Sequence, residues 1–369
     1  MLKGLMDHWV PTAENISAFW KSDFETVKQD LSALFEDIAL NNFTFYSKWY
    51  TNGIKSRLPY LRNHPECMNV VTDNDWGRRL IDYLHSENKT AGVMLQMLTY
   101  EKSLWDEELS VGEWDCRSVA ESADACLIAD FSSDVYIERA KALLREQLTA
   151  FPGLDHVFLE FEGFSPQMME SVYGKRAARR KKTDHGAVDY DDETLNYCAR
   201  LGLEPNLLFS GEAREMLKSM FSRIFMEIDG MLAEMNFKGT VGVVYMLYGY
   251  EAFIYPHTLP NNDWWLLPWW YWTFERADLP DALIASRKNE SKKWLKKWKD
   301  ENYKICYIGD VALGDRQREA IKDFYDYCVQ IDIDGHLGMG NPELKRGLRW
   351  AGVTDETVTE ARELYKQMY

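Results

Sequence analysis

The sequence predicts a closed (β/α)8 barrel, and three observations support this fold class. Short apolar segments rich in aromatic and β-branched residues alternate with helical patterns about eight times along the 369 residues. Such alternation is typical of parallel strands joined by crossover helices, and eight repeats favour a closed barrel over an open sheet. No GxGxxG motif follows the first strand, which disfavours the dinucleotide-binding alternative. We therefore expect one barrel domain over 1–369.

The predicted strands are apolar segments bounded by polar or turn-forming residues. In chain order they span 3–9, 43–49, 93–100, 155–164, 239–248, 264–274, 303–311 and 330–337. Helical spacing of apolar residues predicts helices over 13–40, 72–87, 133–150, 212–236, 281–298 and 316–328, with two helical pieces within 342–368. In a parallel barrel the carboxyl ends of all strands meet at one face, and this is where the site should lie.

A long polar insertion, 165–211, follows the fourth predicted strand on the C-terminal face. It contains the basic run KRAARRKK over 175–182 and then an acidic run over 189–193. We interpret the insertion as a large surface loop or subdomain, and its basic run as a solvated helix.

Charge and composition exclude several function classes. A formal charge of −16 disfavours a general nucleic-acid binder, and neutral or cationic ligands fit better. The six cysteines show no CxxC pair and no metal-like Cys/His spacing, which predicts buried free thiols and no zinc site. We also expect no cofactor. No apolar run of about 18 residues indicates a membrane span, so we expect a soluble protein, cytoplasmic or secreted after loss of a signal peptide.

The segment DHVFLEFEGF, residues 155–164, carries two carboxylates at the end of the fourth predicted strand. Alternation along a strand puts Phe158, Glu160 and Glu162 on one face. The two carboxylates would lie about 6 to 7 Å apart, which is close enough for each to influence the other's protonation. The alternative is a strand edge with two solvated glutamates.

Polar and aromatic residues also collect near the other predicted strand ends. These are Asp7, His8, Trp49, Gln96, Tyr245, Glu251, Trp270, Trp272, Asp310, Asp334 and His336. Carboxylates can act as acid, base or nucleophile, and aromatic rings stack on the apolar faces of sugars. Together they favour a carbohydrate site whose substrate is an oligosaccharide or a glycoside. The Trp-rich segment 264–272 is either part of this binding platform or a strand buried on both faces.

The segment 155–162 resembles the fourth strand of TIM-barrel glycoside hydrolases, especially the chitinase-like and hexosaminidase-like groups. Those enzymes carry a signature of the form DGIDLDWE, in which the last Glu is the general acid and the carboxylate two residues earlier orients a substrate N-acetyl group. The sequence DHVFLEFE keeps the first Asp, an acidic residue in the penultimate acidic place, an aromatic and the final Glu. The resemblance implies that Glu162 is the general acid and Glu160 its polarising partner.

The segment departs from that signature at His156, Phe158 and Glu160, which argues against assistance by a substrate amide. In a second arrangement, Asp310 after the seventh strand would be the nucleophile, as in many barrel glycosidases that the chain resembles. Glu251 is a further candidate partner. Either residue could instead be a loop acid, since Gly309-Asp310 is ordinary turn chemistry.

Two rival functions remain open on the same fold. Asp334 and His336 share a strand face and could bind a metal with Asp7 and His8, as in a metal-dependent hydrolase or sugar isomerase. No HxH or HExxH spacing accompanies them, and a hydrogen-bonded core histidine is the commoner role. The other rival is a carbohydrate-binding barrel without catalysis, because fold alone does not determine function.

Overall fold

The structure of the chain is a computed structural model, and it describes thirteen stretches of sequence. They are residues 1–7, 24–49, 52–53, 76–97, 99–101, 110–114, 126–129, 134–161, 211–246, 255–269, 281–310, 315–339 and 355–369. The insertion 165–211, apart from its last residue, and the beginning of the helix predicted over 13–40 lie outside these residues.

Eight parallel strands close into a barrel. The described strands are β1 (Leu2–Asp7), β2 (Asn42–Trp49), β3 (Asn52–Gly53), β4 (Thr90–Gln96), β5 (Thr99–Glu101), β6 (Ser110–Trp114), β7 (Cys126–Ala129), β8 (His156–Glu160), β9 (Thr240–Met246), β10 (Trp265–Trp269), β11 (Lys304–Asp310) and β12 (Gly335–Met339). Strands β1, β2, β4 and β8 to β12 pair in parallel in that order, and β12 returns to β1. The predicted (β/α)8 barrel is therefore confirmed.

Four short strands lie outside the barrel. Strand β3 pairs antiparallel with β2, and β5, β7 and β6 form a separate three-stranded antiparallel sheet. This sheet follows the third barrel strand, so the strand predicted over 93–100 is in fact two. Its first part belongs to β4, which ends at Gln96, and its second part belongs to β5, which begins at Thr99.

Seven α-helices are described along the chain. They are α1 (Phe24–Asp37), α2 (Trp76–Ser86), α3 (Asp134–Ala150), α4 (Gly211–Glu234), α5 (Asp281–Asp300), α6 (Asp315–Gln330) and α7 (Asp355–Met368). Each carries apolar residues at three- and four-residue spacing toward the barrel, as expected for a helix covering a sheet. None of these helices has the length and apolar character needed to cross a membrane.

Strand alternation divides the barrel side chains between an outer layer and a packed lumen. On β8, Val157 and Leu159 face the helices, as does Phe161 just after the strand, whose ring packs against Phe221 and Phe225 of α4. His156, Phe158 and Glu160 occupy the opposite face and point into the lumen. The rings of His156 and Phe158 stack there at 5.8 Å between centroids.

Glycines on neighbouring strands make room for the large lumen side chains. A Cβ built on Gly242 of β9 would lie 2.2 Å from Cδ1 of Leu267 and 3.1 Å from Cδ1 of Phe158. Phe158 and Leu267 are completely buried, so the lumen at this level is a packed core and not a pore.

Four helices end in the same tight turn at the amino-terminal face of the barrel. The residues with positive φ in these turns are Asn88, Asn236, Asn302 and Asp332, at 55° to 65°. In each turn the following N–H bonds to the carbonyl five residues earlier, as from Lys89 to Leu84 at 2.8 Å. These are Schellman motifs, in which Asn and Asp tolerate the left-handed conformation better than most residues.

Three side chains, each just before a barrel strand, add hydrogen bonds at the amino-terminal face of the barrel. Each accepts a hydrogen bond from a backbone N–H near the start of the neighbouring strand. The pairs are Asn41 Oδ1 with Lys3 N at 2.7 Å, Asp155 Oδ2 with Ala91 N at 2.9 Å, and Asp334 Oδ2 with Ile305 N at 2.8 Å. The amino-terminal ends of the strands are therefore fixed by side chains as well as by the ladder.

The eighth barrel strand begins later than predicted. The alternating sequence QIDIDGHL suggests a strand over 330–337, but α6 continues to Gln330 and its Schellman turn occupies the next residues. Strand β12 therefore spans Gly335–Met339. Ile331 and Ile333 stand two residues apart, as in a strand, but the first follows the helix end and the second closes the turn. The period of two alone does not distinguish this turn from a strand.

Two identical glycine substitutions should change stability in opposite directions. A Cβ on Gly239, just before β9, would lie 2.5 Å from the backbone carbonyl oxygen of Asp155, which the neighbouring strand holds in place. Gly239→Ala should therefore lower the free energy of unfolding by about 2 to 3 kcal/mol. Gly230→Ala, in α4 with nothing within 4 Å of the new Cβ, should raise it by about 0.5 to 1 kcal/mol. Urea denaturation measures both, and equal effects would contradict this account.

Candidate active site

Glu160 is the best-defined polar residue at the carboxyl end of the barrel. It is the last residue of β8, lies on the lumen face and is only 2% exposed. Its neighbours in the sheet register are Gln96 of β4 and Val244 of β9. Phe158, one lumen position deeper, forms the apolar floor beneath it. A carboxyl group thus lies at the boundary between a packed core and the face where barrel sites occur.

The backbone around Glu160 is held on both sides. Its carbonyl oxygen accepts a hydrogen bond from Met97 N at 2.9 Å, and the next residue, Phe161, donates from its N–H to the carbonyl of Val244 at 2.9 Å. The Phe161 ring is packed between two phenylalanines of α4, with centroids 5.7 and 5.3 Å away. The chain is therefore fixed up to the residue that precedes Glu162.

Several predicted site residues end their strands at this face. Asp7 is the last residue of β1, Trp49 of β2, Gln96 of β4 and Asp310 of β11. Asp310 pairs in register with Met339 of β12 and lies three strands around the barrel from Glu160. Backbone position thus brings these four residues to the same mouth as Glu160. The other predicted residues at this mouth, Glu162, His8, Glu251, Trp270 and Trp272, lie outside the described residues.

The prediction that Tyr245 lines the mouth is wrong. Tyr245 is completely buried and faces the helical layer, where its ring packs edge-on against Trp298 of α5 at 6.0 Å. Its register partner on β10 is Pro268. The lumen face of β9 carries the alternate residues Gly242 and Val244, so strict alternation places Tyr245 outside.

Asp334 and His336 are also wrongly placed by the sequence prediction. Asp334 precedes β12, where its carboxylate bonds Lys299 Nζ at 2.9 Å in addition to Ile305 N. The strand's five residues put Asp334 about 16 Å from the carboxyl end. This distance removes the geometric basis for a metal site shared with Asp7.

His336 faces the helices and not the lumen. It is completely buried, its ring lies 5.1 Å from that of Tyr325 in α6, and its Nδ1 is hydrogen-bonded to the Tyr369 hydroxyl. Burial lowers the pKa of this imidazole to about 3. Among the described residues, no group of three or more His, Cys, Asp or Glu side chains is arranged to hold a metal ion.

Sequence reasoning missed Tyr136, which contacts the site through the backbone. This residue lies in the first turn of α3, is 1% exposed, and donates a hydrogen bond from its hydroxyl to the carbonyl oxygen of Met97. The available signal was a tyrosine within the apolar stripe of a helix, since a buried hydroxyl requires a partner. The identity of that partner depends on the fold.

Comparison with solved structures places the chain among barrel glycosidases in fold. The glycoside hydrolase domain of PgaB (BpsB) from Bordetella bronchiseptica is similar over 92% of this chain and 93% of that domain, with a TM-score of 0.55 and 10% identity. The maltogenic alpha-amylase AmyB from Thermotoga neapolitana is similar over 100% of this chain and 76% of that enzyme, with a TM-score of 0.50 and 10% identity.

Comparison of sequences adds no further relative. No protein-family model matches the sequence, and no curated protein sequence matches it either. At 10% identity the structural likeness concerns the fold and not the site residues. The chain has the fold of TIM-barrel glycoside hydrolases, which confirms at the level of the fold the resemblance that the segment 155–162 indicates.

Proposed function

We propose that this protein is a glycoside hydrolase in which Glu162 is the general acid and Glu160 is the neighbouring carboxylate that orients or polarises it. The observation that supports this most directly is the position of Glu160, a buried carboxyl group on the lumen face at the carboxyl end of the fourth barrel strand. Glycoside cleavage uses two carboxyl groups, one of which protonates the leaving oxygen. Glu162 follows at the spacing of the acid in the resembling signature.

The substrate class follows from the other residues assigned to the mouth. Asp7, Trp49 and Gln96 end three neighbouring barrel strands, and His8, Glu251, Trp270 and Trp272 come shortly after strand ends in the sequence. Indole rings and hydrogen-bonding side chains suit the two kinds of surface that a sugar presents. We therefore propose an oligosaccharide or a glycoside as substrate. The two solved structures of similar fold, a glycoside hydrolase domain and an alpha-amylase, support the same reaction class.

The partner of Glu162 can be identified by comparing two conservative variants on a panel of aryl glycosides and oligosaccharides. If Glu160 only polarises Glu162, Glu160→Gln should lower kcat about 10²-fold and retain measurable turnover. If Asp310 is a nucleophile, Asp310→Asn should be far less active, because no covalent intermediate can form. In that case Asp310→Ala should regain turnover with added azide and release a glycosyl azide.

A matched control comes from the opposite face of the molecule. Glu234 ends α4 and is an exposed residue that forms an ion pair with Arg145. Glu234→Gln should leave kcat unchanged. Activity should also persist in EDTA, whereas loss of activity on chelation would favour the metal-dependent rival. Wild-type protein that hydrolyses no member of the panel would contradict the proposed function.

A further inference from the structure

We infer that Tyr136 is a positioning residue for the proposed active site, acting by fixing the carboxyl ends of the third and fourth barrel strands relative to each other. The inference rests on the proposed function for its catalytic consequence. Its structural part depends only on the contacts of described residues.

Hydrogen bonds connect Tyr136 to Glu160 through one residue, Met97. The Tyr136 hydroxyl donates to the Met97 carbonyl oxygen, and the Met97 N–H donates to the Glu160 carbonyl oxygen at 2.9 Å. Met97 follows immediately after Gln96, the last residue of β4. Both backbone polar groups of Met97, the first residue beyond the third barrel strand, are therefore bound, the carbonyl by a helix and the N–H by the fourth strand.

The Met97 carbonyl has particular need of an external donor. Strand β4 has ended, so the parallel ladder no longer supplies a partner, and Met97 is only 4% exposed. A buried carbonyl without a partner is costly, and more than nine in ten such groups in proteins are paired. Phenylalanine at position 136 would fill the same space without a donor, so the hydroxyl is the part of the side chain that acts on the strand end.

Displacement of Met97 would reach two residues at the mouth of the barrel, Glu160 and Gln96. Glu160 is bonded to it directly, and Gln96, its register neighbour, precedes it in the chain. On the far side, Phe161 is packed against α4, so Met97 is the adjustable side of the β8 terminus. A misplacement of about 1 Å at catalytic groups can reduce the rate about 10²-fold, so even a small shift of this strand end should lower activity.

The test compares Tyr136→Phe with Tyr327→Phe. Tyr327 in α6 also donates from its hydroxyl to a backbone carbonyl, that of Lys292 in α5 at 2.8 Å, and it lies away from β4 and β8. Each variant loses one hydroxyl-to-carbonyl bond and keeps the aromatic ring. The chemical change is therefore the same in both variants, at a buried position in Tyr136→Phe and at a half-buried one in Tyr327→Phe.

The first measurement is hydrogen exchange at the Met97 amide, which needs no substrate. Tyr136→Phe should accelerate exchange at this amide about tenfold or more while amides in β11 and β12 keep their wild-type rates, and Tyr327→Phe should leave the Met97 amide unchanged. If the Met97 amide of Tyr136→Phe exchanges at the wild-type rate, the inference is overturned, whether or not the protein is a glycosidase.

The second measurement is steady-state kinetics on a glycoside that the wild-type protein hydrolyses. Tyr136→Phe should lower kcat about 10- to 100-fold with a small change in KM and should displace the acid-side limb of the pH profile of kcat/KM, because the carboxyl pair is repositioned. Tyr327→Phe should retain wild-type kinetics. Faster exchange at Met97 with unchanged kcat would overturn the catalytic role of Tyr136. Absence of wild-type turnover would instead contradict the proposed function.

Discussion

Glu162→Gln is expected to lower kcat for an alkyl glycoside by about 10³-fold, because glutamine has the shape of glutamate but no proton to give the leaving oxygen. An aryl glycoside with an acidic phenol as leaving group should lose much less, since such a phenolate departs without protonation. Measuring both substrates with one variant separates loss of a proton donor from general damage to the site. Equal losses on the two substrates would contradict the assignment of Glu162 as general acid.

Sugar binding by the same variant distinguishes an enzyme from a binding protein. Calorimetry with a product or a short oligosaccharide should show that Glu162→Gln retains wild-type affinity within about threefold, since the loss concerns the transition state and not the bound substrate. Glu234→Gln, far from the mouth, should match the wild type in both affinity and kcat. Turnover that is unchanged in Glu162→Gln would remove Glu162 from the mechanism.

Acidification is expected to destabilise the fold through two buried histidines. Burial lowers the pKa of His156 to about 4, although the charge of Asp155 opposes the shift, and lowers that of His336 to about 3. In the unfolded chain these histidines titrate near pH 6.5, so below that pH they bind protons that they do not bind in the folded chain. Stability is therefore highest above pH 6.5 and falls as the pH decreases toward 4. Between pH 7.5 and 5 each histidine should cost about 2 kcal/mol, or about 4 kcal/mol together.

Urea denaturation at several pH values measures this dependence, and histidine variants assign it. Among the described residues neither ring nitrogen of His156 has a hydrogen-bond partner, and its ring stacks on Phe158, so His156→Phe removes the titration without loss of packing. We expect His156→Phe to halve the decrease in stability between pH 7.5 and 5. His336→Phe should do the same from a lower starting stability, because it loses the contact with Tyr369. Tyr327→Phe is the control, and an unaltered pH slope in both histidine variants would contradict the prediction.

The fold was predictable because its signal is distributed over the whole chain. The alternation of a strand pattern with a helix pattern repeats along the chain, so an error at one boundary does not change the count of eight. The position of Glu160 was predictable for a related reason, since alternation from Val157 onward assigns it to the face opposite the helices. Both inferences depend on local periodicity, which sequence expresses directly.

The misplaced residues show where local pattern fails. Asp334 looked like a strand residue because the Schellman turn after α6 has apolar residues at alternate positions. Tyr245 was assigned to the mouth by residue type, although its place in the alternation of β9 makes it a helix-facing residue. Tyr136 could not be assigned at all, because its partner, Met97, is 39 residues away in the chain and the two meet only in the folded barrel.

The two ends of this barrel differ in how freely they could change during evolution or engineering. The helix-to-strand junctions with left-handed Asn or Asp residues have fixed lengths, so an added or deleted residue would shift the register of the following strand. A change of length beyond the carboxyl end of a described barrel strand leaves the register of that strand unaltered. Exchange of whole strand-to-helix segments with those of another barrel, with the junction asparagines left intact, should therefore alter the choice of ligand while the pairing of the eight strands is preserved.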